Sequence, residues 1–246
     1  MTRQTDRRSR RGLTWAVAGG AVLLVGIVVI VIASLTSAPP SQTPTESRTS
    51  ASPPTTAPTA SAPDEFVDGS VADRGWVPEP VTTDADVYVR AALAAASTFD
   101  TTLSSRPEWL TFLDSWFTPD TRYTSEADRE SDMRASQLEL RQGVVLPEAE
   151  WDSLAKEAGR VSASIVGDID YQPVPEDASG AMQIATADAV LTFTRTDGNG
   201  GETSYDETAR VSVQVLCGEG SMPTPDTSQQ PGDCKVVRFF SGQVEP

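Results

Sequence analysis

The chain contains no histidine and only two cysteines in its 246 residues. Without an imidazole, the Ser-His and Cys-His nucleophile arrangements and the most versatile side-chain acid-base group are excluded. Cys217 and Cys234 alone are too few for a structural zinc site, and neither lies in a lipobox. Lysine occurs only at positions 156 and 235 against seventeen arginines, a bias of GC-rich bacterial genomes rather than of any chemistry. No glycine-rich phosphate cradle is present. The loop Asp197–Glu202 superficially suggests a calcium site, but an EF-hand begun at Asp197 needs Gly at 202 and Glu at 208, where Glu202 and Thr208 stand. The same residues suit a hairpin connection that accepts positive φ. Nothing in the sequence calls for a cofactor or a metal.

What is present first is hydrophobic length. From Trp15 to Ala33 nineteen consecutive residues are apolar or glycine, and at about 1.5 Å per residue a helix of that length approaches the thickness of a hydrocarbon core. Residues 13–35 are therefore read as a transmembrane helix, with the lipid bilayer as its partner. Arg3, Arg7, Arg8, Arg10 and Arg11 precede it against the single acid Asp6, so residues 1–12 form a basic cytoplasmic tail and everything after Ser34 is exported. The apolar run is longer than a cleaved signal requires. Ser9-Arg10-Arg11-Gly12-Leu13 partly fits a twin-arginine signal, yet no Ala-x-Ala follows closely. An uncleaved signal-anchor in a bacterial cell membrane is the reading that fits best.

Residues 36–65 are almost entirely Ser, Thr, Pro, Ala and Gln and lack the apolar area to offset chain entropy, so they read as a disordered, semi-stiff stalk. The Ser/Thr density permits O-glycosylation, although linker composition alone accounts for it. The formal net charge is -16, and since the first 37 residues carry +4, the exported part carries -20. That surface repels phosphate backbones, which argues against nucleic-acid binding.

Residues 66–246 can bury a core and form one extracytoplasmic domain. Phe66, Val67, Val71, Trp76 and Val77 supply an ordered lead-in. Asp84 or Asp86 caps a helix with Val89, Ala92, Leu93, Ala96 and Phe99 on one face. Ser105-Arg106-Pro107-Glu108 has a capping-box pattern, followed by an apolar stripe of Trp109, Leu110, Phe112, Leu113, Trp116 and Phe117 ending at Pro119. A charged, solvated helix is predicted over Ser125–Arg141 and a short one from Pro147 to Gly159. The period then changes to two, predicting strands at Val161–Asp170, Gln183–Thr194, Thr203–Leu216 and Lys235–Phe240. Helices followed by a meander give an α+β fold, with helices packed on a curved, cone-like antiparallel sheet. Cys217 ends one strand and Cys234 begins the next, so in an oxidising compartment they should form a disulfide.

Two surfaces are candidates for binding. Tyr88, Trp109, Trp116 and Tyr123 are candidates to line a pocket in the cone, although Trp116, like Phe117, suits the core better than a ligand site. Asp128, Glu130 and Asp132 make a candidate docking face, although such a cluster is more often only a solvated helix surface. The phrase Glu108 to Tyr123, with the basic tail, the single anchor and the order of elements over residues 84–241, resembles the nuclear-transport-factor-2-like superfamily. In this context the chain is similar to the single-pass assembly proteins of type IV secretion and conjugation systems, including TcpC-like proteins. The resemblance implies a non-enzymatic scaffold whose exported domain is a candidate homo-oligomer and contacts other envelope or secretion-complex proteins. The long stalk and the Cys217–Cys234 insertion depart from that pattern. The alternative is an envelope-exposed pocket domain that binds a small apolar ligand or acts as an isomerase-like enzyme, with Asp100 beside Tyr88 or Tyr123.

Overall fold

The structure is a computed structural model that describes residues 65–242. The basic tail, the span at 13–35 and nearly all of the stalk at 36–65 lie outside the described residues, among which no helix is long and apolar enough to cross a membrane.

The lead-in closes on itself. Val67 N donates to Glu79 O at 2.9 Å and Val81 N to Glu65 O at 3.0 Å, enclosing a 3-10 helix at Gly69–Arg74. Gly75 ends that helix at φ 75°, and a Cβ there would lie 2.8 Å from Asp100 Cβ, so glycine is required for both conformation and space. The turn buries Val71 and Trp76.

Helix α1 spans Ala85–Ala95, and Asp84 Oδ1 accepts from the amides of Asp86 and Val87 at its start. Its buried face is Tyr88, Val89, Ala92, Leu93 and Ala95. Phe99 does not extend this helix. Thr98 Oγ1 accepts from Ala163 N at 3.0 Å and Phe99 pairs with Val161, so the chain becomes strand β1, Phe99–Asp100. Helix α2, Arg106–Asp114, begins with Pro107 in its first turn and ends before Trp116. Residues 116–118 run instead along the sheet edge: Val236 N donates to Trp116 O at 3.0 Å and Thr118 N to Val236 O at 2.7 Å. Helix α3, Glu126–Glu139, buries only Ser136 and passes into a π turn, Leu140–Val144, that seats Leu140 in the core. Helix α4, Glu148–Ala155, buries Trp151 and Leu154.

Four further strands follow: β2 (Arg160–Pro173), β3 (Met182–Thr196), β4 (Glu202–Leu216) and β5 (Lys235–Phe240). All pairs are antiparallel, in the order β1-β2-β3-β4-β5. Bulges interrupt β2 between Val166 and Asp170 and the β4–β5 ladder at Gln214/Val215, and such bulges bend a sheet. α1 lies against β2, β3 and β4. Small residues at the centre of β3, Ala185 and Ala187, let the alanine-rich helix come close, with Val213 and Val215 filling beside them. The molecule is thus an α+β domain with helices on a curved antiparallel sheet.

Candidate functional site

The aromatic residues are core. Tyr88, Trp109 and Trp116 are fully buried, with Tyr88 and Trp116 centroids 5.8 Å apart. Phe99 joins them, 4.9 Å from Trp109 and 4.2 Å from Trp151. Burial of each large ring contributes about 2 to 3 kcal/mol, with a further increment from ring contacts. Tyr123 lies apart from the other three, exposed between α2 and α3, where the neighbouring Asp132 carboxylate raises its phenol pKa. A cavity of about 250 Å³ between the π turn and strands β1 to β3 is lined by other residues: Phe99, Val145, Leu146, Val161, Leu191 and Phe193 among them. Asp100 caps a turn, accepting from Thr102 N at 2.8 Å and Thr102 Oγ1 at 2.6 Å, while the Tyr88 hydroxyl goes to Glu79.

On α3, Asp128 accepts from the Ser125 hydroxyl at 2.6 Å and Glu130 pairs with Arg134 at 3.3 Å, one turn away. Asp132 faces Tyr123. All three acids thus have local partners, as on a solvated helix face. In the β3–β4 hairpin, Asp197 Oδ1 accepts from Asn199 N and Gly201 N. Among the described residues no group of three or more His, Cys, Asp or Glu side chains is placed to hold a metal ion.

Cys217 and Cys234 are joined in a disulfide with Cα atoms 4.1 Å apart, at the end of β4 and the start of β5. Closing a loop of this length stabilises the fold by about 3 kcal/mol in the chain-entropy model. The loop is also held by hydrogen bonds: Met222 N to Thr118 Oγ1 at 2.9 Å and Thr224 Oγ1 to Ser115 O at 3.2 Å.

Beside the disulfide lies a buried ionic centre that the sequence reading missed. Lys235 Nζ donates to Glu79 Oε1 at 2.9 Å, Ser115 O at 2.7 Å and Thr224 Oγ1 at 2.8 Å. Glu79 Oε1 also accepts from Tyr88 OH at 2.7 Å and Gln229 Nε2 at 3.2 Å. Both charged side chains are 1% exposed. Burial raises the Glu79 carboxyl and lowers the Lys235 ammonium from their ordinary values, with the opposite charge opposing each shift. Burial likewise holds the Tyr88 phenol well above its usual range, with Glu79 adding to the shift. The centre ties together the lead-in, α1, the end of α2, the disulfide loop and β5. Its signal in the sequence was Lys235 itself, a lysine set between a cysteine and two valines at the start of a strand.

No protein-family model matches this chain, and no curated protein matches it. It has structural similarity to an IcmL-like type IV secretion system protein of Legionella pneumophila, at 13% identity and a TM-score of 0.38, over 66% of this chain and 95% of that one. It is also similar to CagV, a VirB8 homolog of the type IV secretion system of Helicobacter pylori, at 13% identity and a TM-score of 0.34, over 60% of this chain and 88% of that one.

Proposed function

We propose that the protein is a non-enzymatic, membrane-anchored scaffold or assembly subunit of a bacterial conjugation or secretion complex. The observation that carries this reading is the packing of the concave side. Tyr88, Phe99, Trp109, Trp116 and Trp151 fill the interior with packed rings, and the buried ionisable groups beside Tyr88, Glu79 and Lys235, are spent on each other. The arginine-flanked apolar span supports an anchor with the N-terminus cytoplasmic, and the resemblance over residues 84–241 supports contact with other envelope subunits. Tagged full-length protein extracted from membranes in mild detergent should bring down other envelope proteins. If it comes down alone, and its gene lies far from any transfer ATPase gene, the reading fails.

A second reading is favoured by the cavity between Phe99, Val145, Leu146, Val161, Leu191 and Phe193, about 250 Å³ in volume, which suits a small apolar ligand. Saturable binding of an apolar fluorescent probe, abolished by Leu191→Trp, would support that reading over the scaffold.

A further inference from the structure

β4 pairs with β3 from Glu202 to Leu216, but β5 covers its other side only from Ser212 to Leu216. The chain leaves the sheet after Phe240, where Glu139 of α3 accepts from Arg238 Nε at 2.7 Å and from Ser241 N at 3.3 Å. Among the described residues, therefore, nothing pairs with β4 over 202–210. The direction of its backbone groups follows from the ladder. Asp197 N donates to Gly201 O and Cys217 N to Ala181 O, so odd-numbered residues of β4 face β3. Antiparallel ladders alternate, and the N–H and C=O groups of Ser204, Asp206, Thr208 and Arg210 consequently point out of the sheet. All four residues are exposed.

The opposite edge of the sheet is closed chemically. On β2, Ala163 N is taken by Thr98 Oγ1, and the carbonyls of Ile165 and Gly167 accept from Arg90 at 3.4 and 3.0 Å. The bulge between Val166 and Asp170 then breaks the register. β4 carries none of these devices: its register with β3 is unbroken, and 202–210 contains no proline, glycine or lysine.

We propose that the open edge of β4 receives an extended, basic segment of a partner protein as an added strand. Charge selects the occupant. Glu202 is already paired with Arg160, and Arg210 with Asp170 and Asp188. Asp206, whose Oδ1 accepts from the Thr192 hydroxyl at 2.7 Å, and Glu207 lie at the middle of the edge with no ion-pair partner among the described residues, and as adjacent strand residues they project on opposite faces. A strand bearing Lys or Arg on both faces fits them. A second copy of this chain fits worse: residues 202–210 carry Glu202, Asp206 and Glu207 against Arg210 alone, so two such edges bring net like charge together; self-pairing centred on Asp206 or Glu207 sets like charges directly opposite, and centring on Thr208 runs the incoming strand into β5. This edge is one contact of the assembly subunit proposed above, and its assignment rests on that reading.

The test uses full-length protein in detergent micelles and an octapeptide of repeated Lys-Lys-Thr-Thr, which presents lysine on both faces of an extended strand, as the probe. Amide exchange read at single residues should slow about ten-fold or more at Ser204, Asp206, Thr208 and Arg210 when the probe is added. Thr208→Pro, which removes one outward N–H and spares the β3 ladder, should abolish that protection. The double variant Asp206→Lys, Glu207→Lys should instead prefer an octapeptide of repeated Glu-Glu-Thr-Thr. Absence of protection, equal protection by both peptides, or protection that rises with protein concentration alone, the sign of a second copy, would overturn the assignment. If Thr208→Pro brings down the same envelope proteins as the wild type, the edge assignment falls and the scaffold reading stands. Wild-type protein that brings down none removes the scaffold reading instead.

Discussion

Lys235 is where the polar and apolar parts of this domain meet, because its ammonium satisfies groups from three separate segments while its stem lies in β5. Removing one member of a buried ion pair leaves the other charged in a low-dielectric site, which typically costs about 3 to 5 kcal/mol. Replacing both with apolar groups removes that penalty. Lys235→Met should therefore lower the unfolding temperature of the full-length protein, read by tryptophan fluorescence in detergent, by more than the double variant Glu79→Met, Lys235→Met does. A Lys235→Met protein as stable as wild type would show that the centre does not clamp the fold. Local pattern could not reveal this pair, since Glu79 sits between two prolines far from Lys235 in sequence and only the folding of the lead-in against the end of α2 and β5 makes them neighbours.

At the scale of elements, the start of α2 shows how local chemistry and tertiary contact act on one group. The Glu108 carboxylate accepts from the Ser105 hydroxyl at 2.7 Å and the Ser105 amide at 3.0 Å, and it pairs with Arg74 of the lead-in at 2.7 Å. These contacts, the Ser105 hydroxyl first, hold its pKa at about 2 against the ordinary 4.5. Because the folded value is depressed, the stability Glu108 contributes is fully present above the unfolded value and is lost as pH falls through the folded one. The difference in unfolding temperature between wild type and Glu108→Gln should be constant above about pH 5 and vanish near pH 2. A difference that persists at pH 2 would contradict the shift. The capping pattern was legible in the sequence, and so were four helices and four long strands, because caps and periods of 3.6 and 2.0 are local signals. Helix ends were not. Phe99 and Trp116 continue the helical spacing, yet Phe99 is drawn to β2 and Trp116 to β5. Backbone pairing across the sheet outweighs propensity at those positions.

For the whole molecule, the arginine cluster before the span and the apolar-poor stalk after it predict that protease added to intact protoplasts cuts between Ser37 and Pro63 and releases a compact fragment. Protection of that segment would reverse the orientation. Immunoblotting for a tag at the C-terminal end distinguishes the two outcomes. By itself the sequence determined what composition and short-range pattern can carry: the candidate anchor, the α+β order, the exclusion of histidine chemistry and the placement of the two cysteines at facing strand ends. Only the tertiary structure decided which aromatics became core, that Tyr123 stands apart from Tyr88, Trp109 and Trp116, that Glu79 and Lys235 share a buried site, and that β4 keeps an open edge while Arg90 seals β2. The physical reason is that these outcomes depend on contacts between residues distant in the chain. Hydrogen-bond satisfaction and close packing are settled there by the curvature of the sheet, and a one-dimensional pattern does not record it.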